Sequence, residues 1–460
     1  MRTTRSAVLL ATLAALTAAS AAHAQPQTPP RWETHSPFGS QTVWPVNPHL
    51  EFYADQLQAA GAGWARSDLI WWSLAEAEPG EFNFTSPPFP DWQNWNTDHG
   101  IQVLVERGIE PFPILCYGNP HYDGGAGPST EAGRAAFAEY CYQAASRYAD
   151  SVKYWEIWNE PNLEMFWGRA PHPEDYALLA QAAAPRILEA NPDAVIVGGA
   201  VAGIDLPFLA NSFQHGLLDV VDVISVHPYR INAPESINSE IATLRSMITS
   251  HTDRDIQIWT GEWGYNTYWS NLTPLGQAKM LTRMMANNAA IGIEVSIWFS
   301  AHAFIETQGN PGDPEWGLFD FNLDPRPSYF ALGATTDRLP PPVRLAHGAF
   351  DMDVPSAGGG VNTHTAIFEL PEEDRYVAAI WDATWPAPDT YTGRTATVEL
   401  SGLPERTEIR AYDGLDGGEI TLSAEKNGTG YTLTGFRVQD YVTWIEVDVL
   451  PEVNEAWVLF

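Results

Sequence analysis

The chain has 460 residues, of which 45% are hydrophobic and 18% charged, enough apolar mass for one large domain and a smaller one beside it. Its formal net charge is -33, and Lys153, Lys279 and Lys426 are its only lysines. That balance argues against nucleic acid and anionic membranes as partners, and no segment beyond the N-terminus is apolar for long enough to cross a bilayer as a helix.

Met1–Ala24 is set apart. Arg2 and Arg5 form a charged start, Ala7 to Ala18 is apolar, and Ala22-His23-Ala24 is a small-residue cleavage site. This pattern predicts a secretory signal and a secreted or periplasmic protein. The Pro-rich stretch from Gln25 holds one early strand, around Ser36 to Val46. His49–Ala60 has helical spacing, and Gly63–Leu69 reads as a strand carrying Arg66. A helix follows over Trp92–Arg107, then a strand over Ile109–Leu115 and a loop with Asn119 and His121. Ser129 or Thr130 caps a helix that reaches Tyr148.

Val152–Trp158 mixes aromatic and β-branched residues as a buried strand does, and it ends in Asn159-Glu160-Pro161. The alternation continues with helices over Glu174–Ala190, Leu206–His215, Ser236–Thr249, Leu275–Ala290 and Arg326–Arg338. Strands lie between them at Ala194–Gly199, Val220–Val226, Ile256–Thr260 and Glu294–Ser300. Counting the early strand, this makes eight strand–helix units, the pattern of an α/β fold of the (β/α)8 TIM-barrel type over residues 25–339. A doubly wound sheet would show a Gly-rich phosphate loop after an early strand; Gly358-Gly359-Gly360 lies too far downstream and reads as a loop.

After Pro340-Pro341-Pro342 the texture changes to short alternating runs: Thr365–Leu370, Arg375–Trp381, Ala396–Leu400, Glu408–Tyr412, Gly430–Leu433 and Val442–Val449. Residues 340–460 are therefore expected to form a smaller all-β sandwich of seven or eight strands, packed on the barrel. Cys116 and Cys141 are compatible with a disulfide or with two buried thiols, and spacing does not decide between them.

Glu160 and Glu262 share an address. Each stands where an apolar strand runs out, on the fourth and seventh units, and in a closed barrel those ends converge on one face. Two carboxyl groups flanking a sugar are what glycoside hydrolysis needs, one to protonate the leaving oxygen and one to attack the anomeric carbon or activate water. The acid needs a raised pKa, to which apolar walls such as Trp158 and Trp263 would contribute; its partner needs hydrogen-bond donors, for which Tyr229 is placed. Glu156 shares strand parity with Glu160 but falls ~13 Å deeper at ~3.3 Å per residue, which makes it a buried structural acid. Arg66 has two readings, an ion pair with Glu156 and a place in the active site.

Trp-Asn-Glu-Pro on the fourth strand, His-Pro-Tyr on the sixth and Gly-Glu-Trp-Gly on the seventh resemble clan A glycoside hydrolases. The likeness is greatest to family 39, the β-xylosidase and α-L-iduronidase group. It covers the barrel from about Ser36 to Leu339, and the trailing β-domain fits that architecture. The resemblance implies Glu160 as acid/base, Glu262 as nucleophile and retention of configuration. It also implies Asn159 at the 2-hydroxyl, His227 and Tyr229 beside the nucleophile, and Trp298 as the aromatic floor. His121, Arg66 and Trp263 are further candidates for substrate contact. No metal or organic cofactor is implied, and the one expected partner is a carbohydrate substrate. Two alternatives stay open, a catalytically inactive glycan-binding barrel and a transglycosylase. Sugar, linkage and oligomeric state are not given by sequence.

Overall fold

A computed structural model describes residues 31–43, 48–85, 95–302, 316–354, 362–385 and 388–451. The predicted export segment and the Gly358–Gly360 loop lie outside them. Eight parallel strands close into a barrel. They are β1 (Phe38–Gln41), β2 (Trp64–Ile70), β3 (Glu110–Cys116), β4 (Tyr154–Ile157), β5 (Val195–Ala202), β6 (Val223–His227), β7 (Gln257–Trp263) and β8 (Ser296–Trp298). Each sequence-predicted unit is present, with strand ends displaced by a few residues. Helix starts follow their capping residues: Thr130 accepts from Gly133 N at 3.0 Å and Thr273 from Gly276 N at 2.9 Å.

The strand expected over Val152–Trp158 is shorter, and proline does not end it. Trp158 and Glu160 have φ of 69° and 47°, left-handed backbone that breaks the extended chain ahead of Pro161. Cys116 and Cys141 are both free and buried.

The second domain is a two-sheet β-structure. Its larger sheet runs Arg31–Trp32, Val343–Leu345, Thr363–Leu370, Arg375–Asp382, Thr443–Val449, Thr407–Asp413, Glu419–Ile420, and its smaller sheet Asp351–Asp353, Arg394–Ser401, Gly430–Val438, Ser423–Asn427. Ile380, Val398, Leu433, Phe436 and Val447 fill the space between the sheets. One strand, Arg31–Trp32, comes from the start of the chain and pairs antiparallel with Val343–Leu345. The domain is thus not confined to residues 340–460, and both ends of the barrel segment are tied into it.

The junction is packed. The helix Pro274–Ala290, which follows β7, is buried on nearly all sides, because barrel strands cover one face and the β-domain the other. Its polar residues are therefore paired inside the protein. Lys279 meets Asp440 at 3.0 Å and the Pro388 carbonyl at 2.9 Å. Arg283 donates to both oxygens of Glu235 at 2.8 and 2.7 Å and to the Thr384 carbonyl at 2.8 Å, while Trp381 Nε1 donates to the same Glu235 at 2.7 Å. Removing one member of a buried pair strands the other. Arg283→Met should thus lower the unfolding free energy by about 3–5 kcal/mol in urea denaturation. Lys426→Met, at an exposed position that donates only to the Glu405 carbonyl, should change it by less than about 0.5 kcal/mol.

Candidate active site

The barrel interior is layered. At the N-terminal end Trp64, Phe112, Val197, Val223, Trp259 and Ile297 form an apolar floor. Below it a cavity of about 450 Å³, lined by residues including Trp32, Lys153, Tyr154 and Glu294, opens at the face away from the strands' C-terminal ends. Above the floor the interior turns polar, and the C-terminal face is where a barrel of this type presents chemistry.

Arg66 stands at the centre of that polar region and is fully buried. Its Nε donates to Glu156 Oε2 at 2.7 Å, and its Nη1 to Gln41 Oε1 at 2.7 Å and Glu262 Oε2 at 2.6 Å. Its Nη2 donates to Asn159 Oδ1 at 2.9 Å and lies 3.3 Å from His227 Nε2. Both sequence readings of Arg66 therefore hold at once. Glu156 is not remote from the site: it shares a guanidinium with Glu262. The backbone turns at Trp158, which brings Asn159 and Glu160 inward together, and Glu156 is the buried structural acid that the sequence reading made it.

Glu160 and Glu262 meet. One oxygen of each and a ring nitrogen of His227 lie within 4.8 Å of one another. Irregularities in neighbouring strands aim both acids. Between β5 and β6, Gly199 pairs with Ser225 and Val201 with Val226, so Ala200 is the extra residue; its φ is 45° and its carbonyl accepts from Glu160 N at 2.8 Å. Between β7 and β8, Thr260 pairs with Ser296 and Trp263 with Trp298, three steps against two. That bulge lets Gly261 and Glu262 both face inward, as bulges beside active sites do. Gly261 has to lack a side chain, since a Cβ there would come 2.2 Å from Ser225 Oγ and 3.0 Å from Glu156 Oε1.

The electrostatics separate the two acids. Burial raises the Glu160 carboxyl to about 7, with Arg66 opposing. Glu262 accepts from Tyr229 OH at 2.6 Å on Oε1 and from Arg66 on Oε2. Burial lowers His227 to about 4, so the ring is neutral near pH 7. Arg66 Nη2 can only donate, so His227 Nε2 accepts and the ring proton sits on Nδ1, where it donates to Glu160 Oε1 at 3.1 Å. The acidic proton of Glu160 then belongs on Oε2. The cluster's spacing would also suit a cation. However, Arg66 already donates to Glu262 and His227, so a metal would face a permanent positive charge across the lone pairs it needs.

Asn159, His227 and Tyr229 thus stand where sequence places them. Other candidates do not join the cluster. Trp158 turns outward against Phe137 and Trp167. The β7 bulge turns Trp263 outward as well, and it is fully buried near Tyr265. Neither ring is a wall of the site. Trp298 is buried and donates to the Trp316 carbonyl at 3.3 Å; the Trp316 and Phe299 rings stand edge-on to Tyr229, at 5.2 and 6.1 Å. His121 is exposed, and its Nε2 lies 3.0 Å from the Ala77 carbonyl, so it clasps two loops together. Asn119 does the same through the Glu76 carbonyl at 2.9 Å. Gln41, Asp68 and Trp316 were missed by sequence reasoning. Strand parity with Arg66 could have found Asp68.

The model of the cellulase family (glycosyl hydrolase family 5) matches residues 36–302, more than half of the chain. A β-xylosidase from Caldicellulosiruptor saccharolyticus is 32% identical over 166 residues, which is 32% of this chain and 33% of that protein, so the match spans about a third of the relative's length. Among solved structures, a family 39 glycoside hydrolase from Bacteroides cellulosilyticus WH2 superposes with a TM-score of 0.67 at 19% identity, over 89% of this chain and 80% of that one. A monomeric β-xylosidase from Caulobacter crescentus CB15 gives 0.60 at 16%, over 92% and 98%. A family 30 endoxylanase from Clostridium papyrosolvens C71 gives 0.62 at 12%, also over 92% and 98%. At these identities the structures attest a shared fold.

The raised pKa of Glu160 has a consequence for stability. Below the unfolded value of 4.5 the carboxyl is protonated whether folded or not, and it imposes no penalty. As pH rises through the folded value of about 7 the native state must ionise a buried acid. At about 1.36 kcal/mol per unit, that penalty reaches about 3 kcal/mol. Glu160→Gln should accordingly unfold at a higher temperature than wild type near about pH 8 and gain little near about pH 4, as measured by thermal denaturation at both.

Proposed function

The chain belongs to the cellulase family, glycosyl hydrolase family 5, and from that premise we propose that it is a retaining glycoside hydrolase of oligo- or polysaccharides. Glu160 is the acid/base in this reading and Glu262 the nucleophile. The observation that carries it is the approach of one oxygen of each carboxyl group to within 4.8 Å of the other. Retaining enzymes keep their carboxyl groups ~5–5.5 Å apart, whereas inverting ones leave ~6.5–9.5 Å for a water.

Each residue then has a task. Glu160 gives its Oε2 proton to the glycosidic oxygen as the bond to the anomeric carbon breaks. Glu262 attacks that carbon from the other face, forming a glycosyl ester. Glu160, now a carboxylate, takes a proton from water, which adds to the anomeric carbon and releases Glu262. Tyr229 and Arg66 each donate to one oxygen of the nucleophile and so fix its plane. His227 keeps Glu160 turned so that its proton faces the sugar, and Asn159, fixed by Arg66, presents its amide toward the same space.

A neutral glycan is the proposed substrate class. Xylosides are the first to try, because the matched relative and two of the structures are named as xylosidases or a xylanase. The charged start, apolar run and small-residue site within Met1–Ala24 support export of the protein.

The test is product stereochemistry and leaving-group dependence. The first-formed product, followed by NMR, should keep the anomeric configuration of the substrate; an inverted product overturns the mechanism. Glu160→Gln should lose about 10²- to 10⁴-fold in rate on glycosides with poor leaving groups, and far less on dinitrophenyl glycosides. Glu262→Gln should be impaired on both.

A further inference from the structure

One acid at the mouth of the barrel has no part in that mechanism. Asp68 follows Arg66 by two positions on β2, so both side chains project into the barrel, and Asp68 lies ~6.6 Å nearer the C-terminal rim. Arg66 is fully buried, whereas Asp68 is partly exposed. Inside a closed barrel with an aromatic floor, that exposure opens toward the face where Glu160 and Glu262 meet. Asp68 lies in the electrostatic field of Arg66, Glu262 and Glu156, and it takes a hydrogen bond from the buried Cys116 thiol. A thiol is a weak donor, and a carboxylate offers about four lone-pair sites. Most of the accepting capacity of Asp68 is thus left for something else at the mouth.

The cations around the site are committed elsewhere. Arg66 is saturated by Glu156, Gln41, Glu262, Asn159 and His227. Arg169 donates to Ser129 and the Asp123 carbonyl, and Arg230 to Ser236, Glu240 and the Pro228 carbonyl. Lys279 is held by Asp440, Lys426 by the Glu405 carbonyl, and Lys153 lines the cavity at the opposite end of the barrel. Arg326, just after the Phe319–Pro325 bridge, is buried and has a partner of its own. Among the described residues, a sugar bearing its own carboxylate would thus meet Asp68 and Glu262 where the cations named are already engaged.

We propose that Asp68 is the specificity-determining residue of the subsite between Glu160 and Glu262: it accepts hydrogen bonds from ring hydroxyls and turns away sugars that carry an acid. This rests on the hydrolase reading and sharpens it to neutral sugars at the reacting ring.

The experiment compares wild type with Asp68→Asn on 4-nitrophenyl β-D-xyloside, β-D-glucoside and β-D-glucuronide, the last two differing only at C6. Both kcat/KM and, by calorimetry, binding of each glycoside are measured. The expected result is a wild-type preference for the neutral glycosides. Asp68→Asn should lower kcat/KM on them by about tenfold and shrink the glucoside-over-glucuronide preference by about tenfold. A purely structural Asp68 would depress all three alike and leave the preference unchanged, which overturns the assignment. Asp68→Ser repeats the comparison should the Asn variant not fold. If wild type hydrolyses none of the glycosides yet binds the neutral ones in preference, and Asp68→Asn loses that preference, the hydrolase reading fails and the Asp68 assignment stands. Wild type that neither binds nor hydrolyses any of them overturns both.

Discussion

A single buried guanidinium determines how this barrel is filled. Arg66 reaches acceptors on β1, β6 and β7, on β4 and on the residues just after β4. Taking such a charge out of water carries a penalty of several kcal/mol, offset only when each N–H finds a partner of good geometry. Burial alone would lower the Arg66 pKa, but Glu156 and Glu262 outweigh it and hold the charge more firmly than in water. The planar fork also imposes directions. A lysine carries one point charge and could not set the planes of Glu262, Asn159 and Glu156 together. Position in the site is in this sense inherited from Arg66.

The remaining geometry comes from local departures from regular structure. Straight strands would alternate side chains in and out, and β4 could not then turn both Asn159 and Glu160 inward. Left-handed backbone at Trp158, Glu160 and Ala200 makes the turn, at a cost of order 1–3 kcal/mol for each strained residue. Hydrogen bonds secure two of the strained amides. Trp158 N donates to the Leu115 carbonyl at 3.0 Å, and Glu160 N to the Ala200 carbonyl at 2.8 Å. One strained residue thus supports another across the gap between β4 and β5.

These departures mark the limit of what the sequence discloses. Strand–helix alternation is a property of composition and period, so the barrel and its eight units were legible. So was the address of Glu160, Glu262, His227 and Tyr229 at strand ends. Conformation at single residues is not carried by such patterns. Trp158 and Trp263 were expected to wall the site because they stand beside the two acids in sequence, and the left-handed turn and the bulge send both rings outward instead. In the β-domain every strand with clear alternation was found. Val343–Leu345, Asp351–Asp353 and Glu419–Ile420 are too short to show a period, and Ser423–Asn427 is exposed along its whole length. Arg31–Trp32 offers no signal at all, since its partner lies at the far end of the barrel segment. The motifs around the acids pointed to clan A, and the family 5 model together with the family 39 and family 30 folds bear that out.

The second domain gains a physical role from the helix Pro274–Ala290. That helix follows β7, the strand that carries Glu262. On one side its Asn288 Nδ2 donates to Thr260 Oγ1 at 3.1 Å and Ser296 Oγ at 3.0 Å, bridging β7 and β8 beside the bulge. On the other side Lys279 and Arg283 are anchored in the β-domain through Asp440 and the Thr384 carbonyl. Thr282 Oγ1 accepts from Val442 N at 3.3 Å along the same face. An amphipathic surface helix would leave its outer face in water and free to shift. Here the outer face is buried, and buried ion pairs tolerate little displacement before a charge is left unpaired. The β-domain therefore restrains the strand that positions Glu262 from behind. That makes it a scaffold for the site, whatever else its outer sheet contacts.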